Sequence, residues 1–107
     1  MANCSHLDHV KLTELPASVE GCEDCLAMEP RGDWLHLRLC LECGHVGCCD
    51  DSPNRHASKH AAATAHPIIR SLEPGEDWCW CFLDDLGMRI PQVTGSTRIP
   101  PSPMLSR

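Results

Sequence analysis

The clearest pattern along the chain is a strict alternation of residue types over residues 34–39, where leucine stands at every second position. Successive side chains of a β-strand point to opposite faces of its sheet, so a period of two predicts a half-buried strand. Leu35, Leu37 and Leu39 form the predicted core face, and Trp34, His36 and Arg38 the opposite face. The strand leads directly into Cys40.

An alanine-rich stretch predicts the main helix. Ser52 is a suitable N-cap, Pro53 suits the first helical position, and alanines favour continuation to about Ala63. Two more strands are predicted at residues 68–72 and 77–83, joined by a turn containing Pro and Gly. We therefore expect a small α+β domain with an antiparallel sheet and one main helix.

The C-terminal stretch has a different composition, rich in Pro, Ser, Thr and Gly. Such a composition is poor in groups that pack into a core. We predict that residues 1–88 form the folded domain and that residues 89–107 are a flexible tail.

The composition predicts a small hydrophobic core that needs further stabilisation, because the chain has 107 residues and only four aromatic side chains. Nine cysteines and seven histidines favour metal ions over disulfides as the compensation, since a disulfide framework has no use for imidazole. A disulfide cluster is the alternative. No signal-peptide pattern or membrane-length apolar run is found, which favours a reducing, cytoplasmic location.

Charge argues against one class of partner. The net charge is −6, and all 15 acidic residues lie within residues 1–87. An acidic domain repels phosphate backbones, so a nucleic-acid-binding finger is disfavoured.

The candidate metal ligands concentrate between Cys40 and His66. Cys40-x-x-Cys43 has the spacing of a zinc knuckle, and the following Gly44 suits the tight turn that such a knuckle requires. His56 and His60 are one helical turn apart, so spacing alone would let them chelate a single ion.

The ordered set of Cys and His positions resembles the UBP-type zinc finger, the ubiquitin-binding module of ubiquitin-specific proteases and of a cytoplasmic histone deacetylase. The resemblance rests on Cys4-x-His6, Cys22-x-x-Cys25, Cys40-x-x-Cys43-x4-Cys48, His56-x3-His60-x5-His66-Pro67 and a Trp-Cys-Trp-Cys strand. It covers residues 4 to about 83 and implies a twisted antiparallel sheet beside one helix, cross-braced by zinc.

The resemblance also implies how the ligands are shared among three zinc ions, two of them firm. One ion would take Cys22, Cys25, Cys48 and His56, and a second would take Cys40, Cys43, His60 and His66. The helix would then bridge two ions rather than chelate one.

The third implied ion would join the two ends of the domain. We expect Cys4, His6, Cys79 and Cys81 as its ligands, with His9 in reserve. This chain has Cys79-x-Cys81 where the family has two cysteines separated by two residues. An empty or three-coordinate site is therefore the alternative.

The resemblance implies a groove that binds the free C-terminal Gly-Gly of ubiquitin. Trp78 and Trp80 occupy its aromatic positions, with burial in the core as their alternative role. The family's carboxylate-binding arginine is replaced here by Asp50, and Arg55 or Arg70 are candidate substitutes. We expect a monomeric, non-enzymatic module that binds a protein C-terminal tail or a ubiquitin-like protein.

Two other interpretations of the chemistry remain. A zinc hydrolase would need an ion with an open water position, and only the loose terminal site, near Asp77, Asp84 and Asp85, offers one. Cys49 is the odd thiol, and its acidic neighbours would disfavour the thiolate that a nucleophile needs.

Overall fold

A computed structural model describes residues 5–105 and contains a five-stranded sheet and one main helix. A 3₁₀ turn at Leu7–His9 and a short helix α1 (Glu23–Ala27) precede the sheet. The remaining elements follow in the order β1 (Leu37–Cys40), β2 (Val46–Cys48), α2 (His56–Thr64), β3 (Ile68–Ser71), β4 (Trp78–Cys81) and β5 (Leu86–Arg89). The predicted small α+β class is confirmed.

All neighbouring strands of the sheet are antiparallel, in the order β2-β1-β3-β4-β5. The two edge strands, β2 and β5, were not predicted, because each is short and contains a glycine. Gly47 makes room for a neighbour, whereas a Cβ on Gly87 would make ordinary van der Waals contact. A Cβ on Gly47 would lie 2.7 Å from the backbone nitrogen of Ala57, and one on Gly87 would lie 3.4 Å from the Trp80 ring.

The leucines of β1 form the centre of the core. Leu37 and Leu39 are each 1% exposed, and the core continues through Leu41 and Ile68. Trp34 was predicted on the opposite face but is buried too. It precedes the first residue of β1, so the alternation of the strand does not govern its direction.

Helix α2 begins at His56, later than Ser52 and Pro53 predicted. The Ser52 hydroxyl instead accepts a hydrogen bond from the Leu35 backbone N–H at 2.8 Å. The first helical N–H, that of His56, donates to the Cys48 sulfur at 3.2 Å. Cys48, a candidate metal ligand, therefore caps the N-terminus of α2. No helix of residues 5–105 is both long and apolar enough to cross a membrane.

Residues 90–99 differ from the flexible tail that composition predicted. Ile90 and Val93 are buried in the main core. The segment also runs parallel to residues 13–19, with the Leu15 N–H donating to the Thr94 carbonyl at 2.8 Å and the Arg98 N–H donating to the Ala17 carbonyl at 2.9 Å. Ile99 is also packed against the core, so three apolar side chains and a paired backbone dock this stretch.

Candidate metal sites and an aromatic groove

The first candidate metal site is almost completely enclosed. It gathers the side chains of Cys22, Cys25, Cys48 and His56, whose ligand atoms all lie within 4.8 Å of one another. All three sulfurs belong to residues with 0% exposure. Cys22 begins helix α1, Cys48 ends β2 and His56 begins α2, so this site joins three elements of the fold.

The second candidate site is more open. It gathers Cys40, Cys43, His60 and His66, again within 4.8 Å of one another. Cys40 is buried, Cys43 is exposed and both histidines are half-buried. Gly44, with φ +84°, makes the predicted turn after Cys43, and its N–H donates to the Cys40 carbonyl at 2.9 Å.

Both sites have dimensions that suit zinc. Zinc bonds of about 2.0–2.3 Å to nitrogen and sulfur in a tetrahedron give ligand-to-ligand edges of roughly 3.5–3.8 Å. In the first site the three sulfurs lie 3.3, 3.3 and 3.6 Å from the His56 Nδ1. In the second, Cys43 Sγ lies 3.3 Å from His60 Nε2 and Cys40 Sγ lies 3.6 Å from His66 Nδ1. All eight cysteines described are free thiols, as metal binding requires.

The division of the two histidines agrees with the ligand sets implied by the resemblance. His56 belongs to the first site and His60 to the second, although the two residues are one turn apart on the same helix. The pairing that spacing alone favoured, with both histidines on one ion, is not the one in the structure. Helix α2 consequently contributes one histidine to each candidate site.

The thiols of the first site also show why it needs a cation. The pKa of Cys48 is lowered to about 5, chiefly because Cys22 donates a hydrogen bond to it, while the pKa of Cys22 is raised by the same contact. Burial raises the pKa of Cys25. Three buried thiols in contact do not ionise together without a positive charge between them, and a zinc ion supplies that charge.

Neighbouring side chains orient the histidines of the second site. The ring of His45 stacks on His60 with centroids 4.3 Å apart, and its Nε2 lies 2.6 Å from an Asp24 carboxylate oxygen. Glu42 lies 3.8 Å from the Nε2 of His66, on the side of the ring away from Cys40. Partners of this kind fix the direction of metal-binding rings.

The terminal site differs from the expected ligand set. His6 and Cys81 come together, but with Asp84 rather than Cys79. The His6 Nδ1 lies 3.1 Å from Asp84 Oδ2 and 3.6 Å from Cys81 Sγ. Cys4, the fourth expected ligand, lies outside the described residues.

Strand geometry explains why Cys79 does not join this group. Residues two apart on a strand lie roughly 6.5–7 Å from each other on the same face. Cys81 is at the end of β4 and reaches His6, whereas Cys79 stays in the core between Arg70 and Met88 of the neighbouring strands. Burial raises the pKa of Cys79 to about 11. The reserve ligand His9 is engaged elsewhere, with its Nδ1 2.9 Å from Glu42 Oε1.

The other face of β4 carries the aromatic groove, which we define as the cavity between Trp78, Trp80 and Phe82 on one side and residues 49–51 on the other. Trp78 and Trp80 are half-exposed, while Cys79 and Cys81 are buried. The groove encloses about 330 Å³ and is lined by Arg38, Cys49, Asp50, Asp51, Ala57, Ile69, Trp78, Trp80, Phe82 and Asp85. The predicted orientation of the tryptophans, away from the cysteines, is what the structure has.

Neither arginine suggested as a substitute lines this groove. Arg55 is exposed at the N-terminus of α2, and Arg70 is buried on the core face beside Cys79. The arginine that does line it is Arg38, which sequence reasoning missed as a site residue although it had placed Arg38 on the non-core face. Its guanidinium carbon lies 4.6 Å from the centre of the Trp78 ring.

The structure locates Cys49 and His36, which belong to neither expected ligand set. The thiol of Cys49 is buried and lies 3.4 Å from the Ser52 hydroxyl, outside both four-residue sites. His36 pairs with Glu73, at 3.0 Å. Both contacts are of a structural kind.

The fold and the paired sites define a small domain whose cysteines and histidines are arranged for zinc. The chain belongs to the zf-UBP family, described as "Zn-finger in ubiquitin-hydrolases and other protein", whose model matches residues 22–91. The resemblance stated from the sequence is thereby confirmed.

Similar proteins include two mammalian ubiquitin carboxyl-terminal hydrolases 16. The protein of Mus musculus is 42% identical over 69 residues, and that of Rattus norvegicus is 33% identical over 69 residues. Each alignment covers 55% of this chain but 8% of the hydrolase. The likeness is therefore to the zinc-finger part of those proteins alone.

A bacterial structure is similar over nearly the whole chain. The solution NMR structure of a protein from Rhodopseudomonas palustris is 39% identical, with a TM-score of 0.76, and the match covers 96% of this chain and 98% of that one. The shared fold thus extends beyond the residues that match the hydrolases.

Proposed function

We propose that this chain is a non-enzymatic protein-binding module, and that two zinc ions at the enclosed and open sites hold the aromatic groove in shape. A third ion at His6, Cys81 and Asp84 is a further proposal. At the enclosed and open sites the metal would be structural, because each site offers four thiolate and imidazole ligands from the protein. The monomeric state and cytoplasmic location expected from the sequence belong to the same proposal.

The observation that carries the proposal is the division of β4 into two faces. Its cysteines are buried in the core, while Trp78 and Trp80 stand half-exposed over a groove that no other described side chain fills. Trp80 lies against Gly87 of the neighbouring strand and also lines the groove. Flat aromatic walls suit an extended chain with small side chains, such as a protein tail rich in glycine.

The groove does not suit the free carboxylate at the end of such a tail. A free carboxylate, as in the ubiquitin tail, would meet Asp50, Asp51 and Asp85 in this groove. Arg38 is engaged by the Trp78 ring and by hydrogen bonds to Leu37 and Ser71. We therefore propose that the native groove holds the tail along its length and does not select a free terminus.

The test uses a peptide ending in Arg-Gly-Gly, as the free acid and as the amide, titrated into 15N-labelled protein. We expect both forms to shift the indole N–H signals of Trp78 and Trp80. Trp80→Ala should abolish binding with its zinc content unchanged, while Leu83→Ala, an exposed apolar residue beyond β4, should bind as the native chain does. Asp50→Arg should favour the free acid over the amide by roughly tenfold, the scale of one hydrogen bond to a charged group.

The outcomes separate the parts of the proposal. If neither peptide perturbs the tryptophans in any of these proteins, the groove does not bind protein tails. If Trp80→Ala loses zinc, the ring supports the fold and is not a binding wall.

A further inference from the structure

We infer that the aromatic groove selects a cationic side chain, lysine or arginine, within an extended segment of its partner. This inference rests on the proposed function of the groove and names the chemistry of the residue bound there. It does not depend on the partner having a free C-terminus.

The charge of the groove favours a cationic side chain. The groove is lined by three carboxylates, Asp50, Asp51 and Asp85, and one cation, Arg38. Within residues 5–105 none of these three carboxylates has a hydrogen bond or ion pair from its side chain. Several acidic residues elsewhere are paired, for example Asp24 with His45 and Asp77 with Arg89. The groove thus keeps an excess of negative charge that the protein itself does not balance.

The aromatic wall of the groove also favours a cationic side chain. Indole faces attract cations, and Trp78 already stacks under the guanidinium of Arg38 within the protein. Trp80 and Phe82 line the same groove, and among the described residues no cation is stacked on either of them. Aromatic faces beside free carboxylates are complementary to a cation carried on an apolar stem, which is the form of a lysine or arginine side chain.

The arrangement disfavours a bare metal ion as the occupant. The groups of described residues whose ligand atoms approach within 4.8 Å of one another do not include Asp50, Asp51 and Asp85 together. The carboxylates line one cavity without converging on one point. A cation of several atoms, reaching in from a chain that lies along the groove, fits this spread better than an ion does.

The backbone places these three acids on two loops where a passing chain would meet them. Asp50 and Asp51 follow directly after the buried Cys48 and Cys49, so the first metal site positions the loop that carries them. Asp85 is in the left-handed conformation, φ +48°, in the turn between β4 and β5. Both loops line the groove together with the aromatic wall.

The experiment compares blocked pentapeptides, acetyl-Gly-Gly-X-Gly-Gly-amide, in which X is lysine, norleucine or glutamate. A fourth peptide is the norleucine peptide with a free carboxyl end. Lysine and norleucine differ in the ammonium group while keeping the stem, so their ratio measures the charge. We expect the lysine peptide to bind about tenfold more tightly than norleucine at low salt, from two or three weak contacts, and the advantage to shrink as salt is added.

Matched variants locate the charge. Asp50→Asn and Asp85→Asn should each reduce the lysine advantage by about threefold, on the scale of one exposed charge contact. Glu29→Gln, which removes the same charge from an exposed residue that does not line the groove, should leave the advantage unchanged. Zinc content and the amide spectrum verify that each variant is folded.

The results separate this inference from the proposed function. Equal binding of the lysine and norleucine peptides, or tightest binding of the free-acid peptide, would overturn the cation inference while leaving the groove a peptide site. Binding of none of the four would overturn both. A lysine advantage that persists in Asp50→Asn and Asp85→Asn would show that the charge lies elsewhere and would also overturn the inference.

Discussion

The enclosed and open metal sites use similar ligands in very different surroundings. In the enclosed site all three cysteines are inaccessible to solvent, and the ligands come from α1 and its N-cap, from β2 and from α2. In the open site Cys43 is exposed and both histidines are half-buried. The comparison indicates that the enclosed site is part of the hydrophobic core, while the open site lies at the surface and includes His60 of helix α2.

The difference extends to function. The enclosed site carries Cys48, which leads directly into Cys49, Asp50 and Asp51 at the groove. The open site adjoins the groove through Cys40, whose strand partner Ile69 lines it, and through helix α2, but it does not carry the loop with Asp50 and Asp51. Loss of the enclosed site should therefore disturb both folding and binding. Loss of the open site should mainly disturb folding.

The largest effect is expected from Cys25→Ser. An apparent contribution of ~10–16 kcal/mol is typical of a structural zinc site in a small finger, so loss of the enclosed site should unfold the domain. The measurement is the dispersion of the amide spectrum together with elemental zinc analysis. Cys49→Ser is the matched control, because Cys49 is buried but belongs to neither site, and it should keep both zinc ions.

The next largest effect is expected from Cys43→Ser. This chain should lose one zinc and melt at a lower temperature, yet keep a dispersed spectrum for the residues around the enclosed site. Elemental analysis and the amide spectrum check both statements. Loss of all zinc would contradict the comparison, since it would make the two sites a single cooperative unit.

A chain that stops after Arg89 tests whether the C-terminal segment is part of the domain. Burial of Ile90 and Val93 contributes about 3–5 kcal/mol, so unfolding in urea should shift to lower concentration while the zinc content stays the same. A chain that stops after Pro101 loses the hydrogen bond from Ser102 to the Trp34 carbonyl and should change far less. If both shortened chains were as stable as the full chain, residues 90–107 would not contribute to the fold, and the prediction of a flexible tail would be correct.

The smallest effect is expected from His6→Ala. The terminal site is partly exposed, with side-chain exposures of 27% for His6 and 33% for Asp84, so an ion bound there adds little to folding. We expect the zinc content to fall by one and the free energy of unfolding to change by about 1 kcal/mol or less. An unchanged zinc content would show that His6 and Asp84 pair with each other rather than with a metal.

The sequence predicts those parts of the structure that repeat a spacing. The two four-residue ligand sets, the turn at Gly44 and the opposite faces of Trp78 and Cys79 follow from positions along the chain and from the family resemblance. Three features depend on contacts distant in sequence and were not predicted: the delayed start of α2, the approach of Asp84 to His6 and Cys81, and the docking of residues 90–99 on residues 13–19. In each case a partner many residues away decides which local tendency prevails.

Arg38 illustrates the same limit at the groove. The alternation of β1 places it on the non-core face, but its contact with Trp78 needs the strand order β1-β3-β4, which no local pattern reveals. The acidic lining has the same origin, because Asp50 and Asp85 are brought together only by the fold.

The central claim is that helix α2 divides its histidines between two ions, and cadmium-113 NMR tests it most directly. After zinc is replaced by cadmium-113, proton–cadmium correlations identify the ligands of each ion. The account predicts one cadmium coupled to Cys22, Cys25, Cys48 and His56, and another coupled to Cys40, Cys43, His60 and His66. A single cadmium coupled to both His56 and His60 would contradict it.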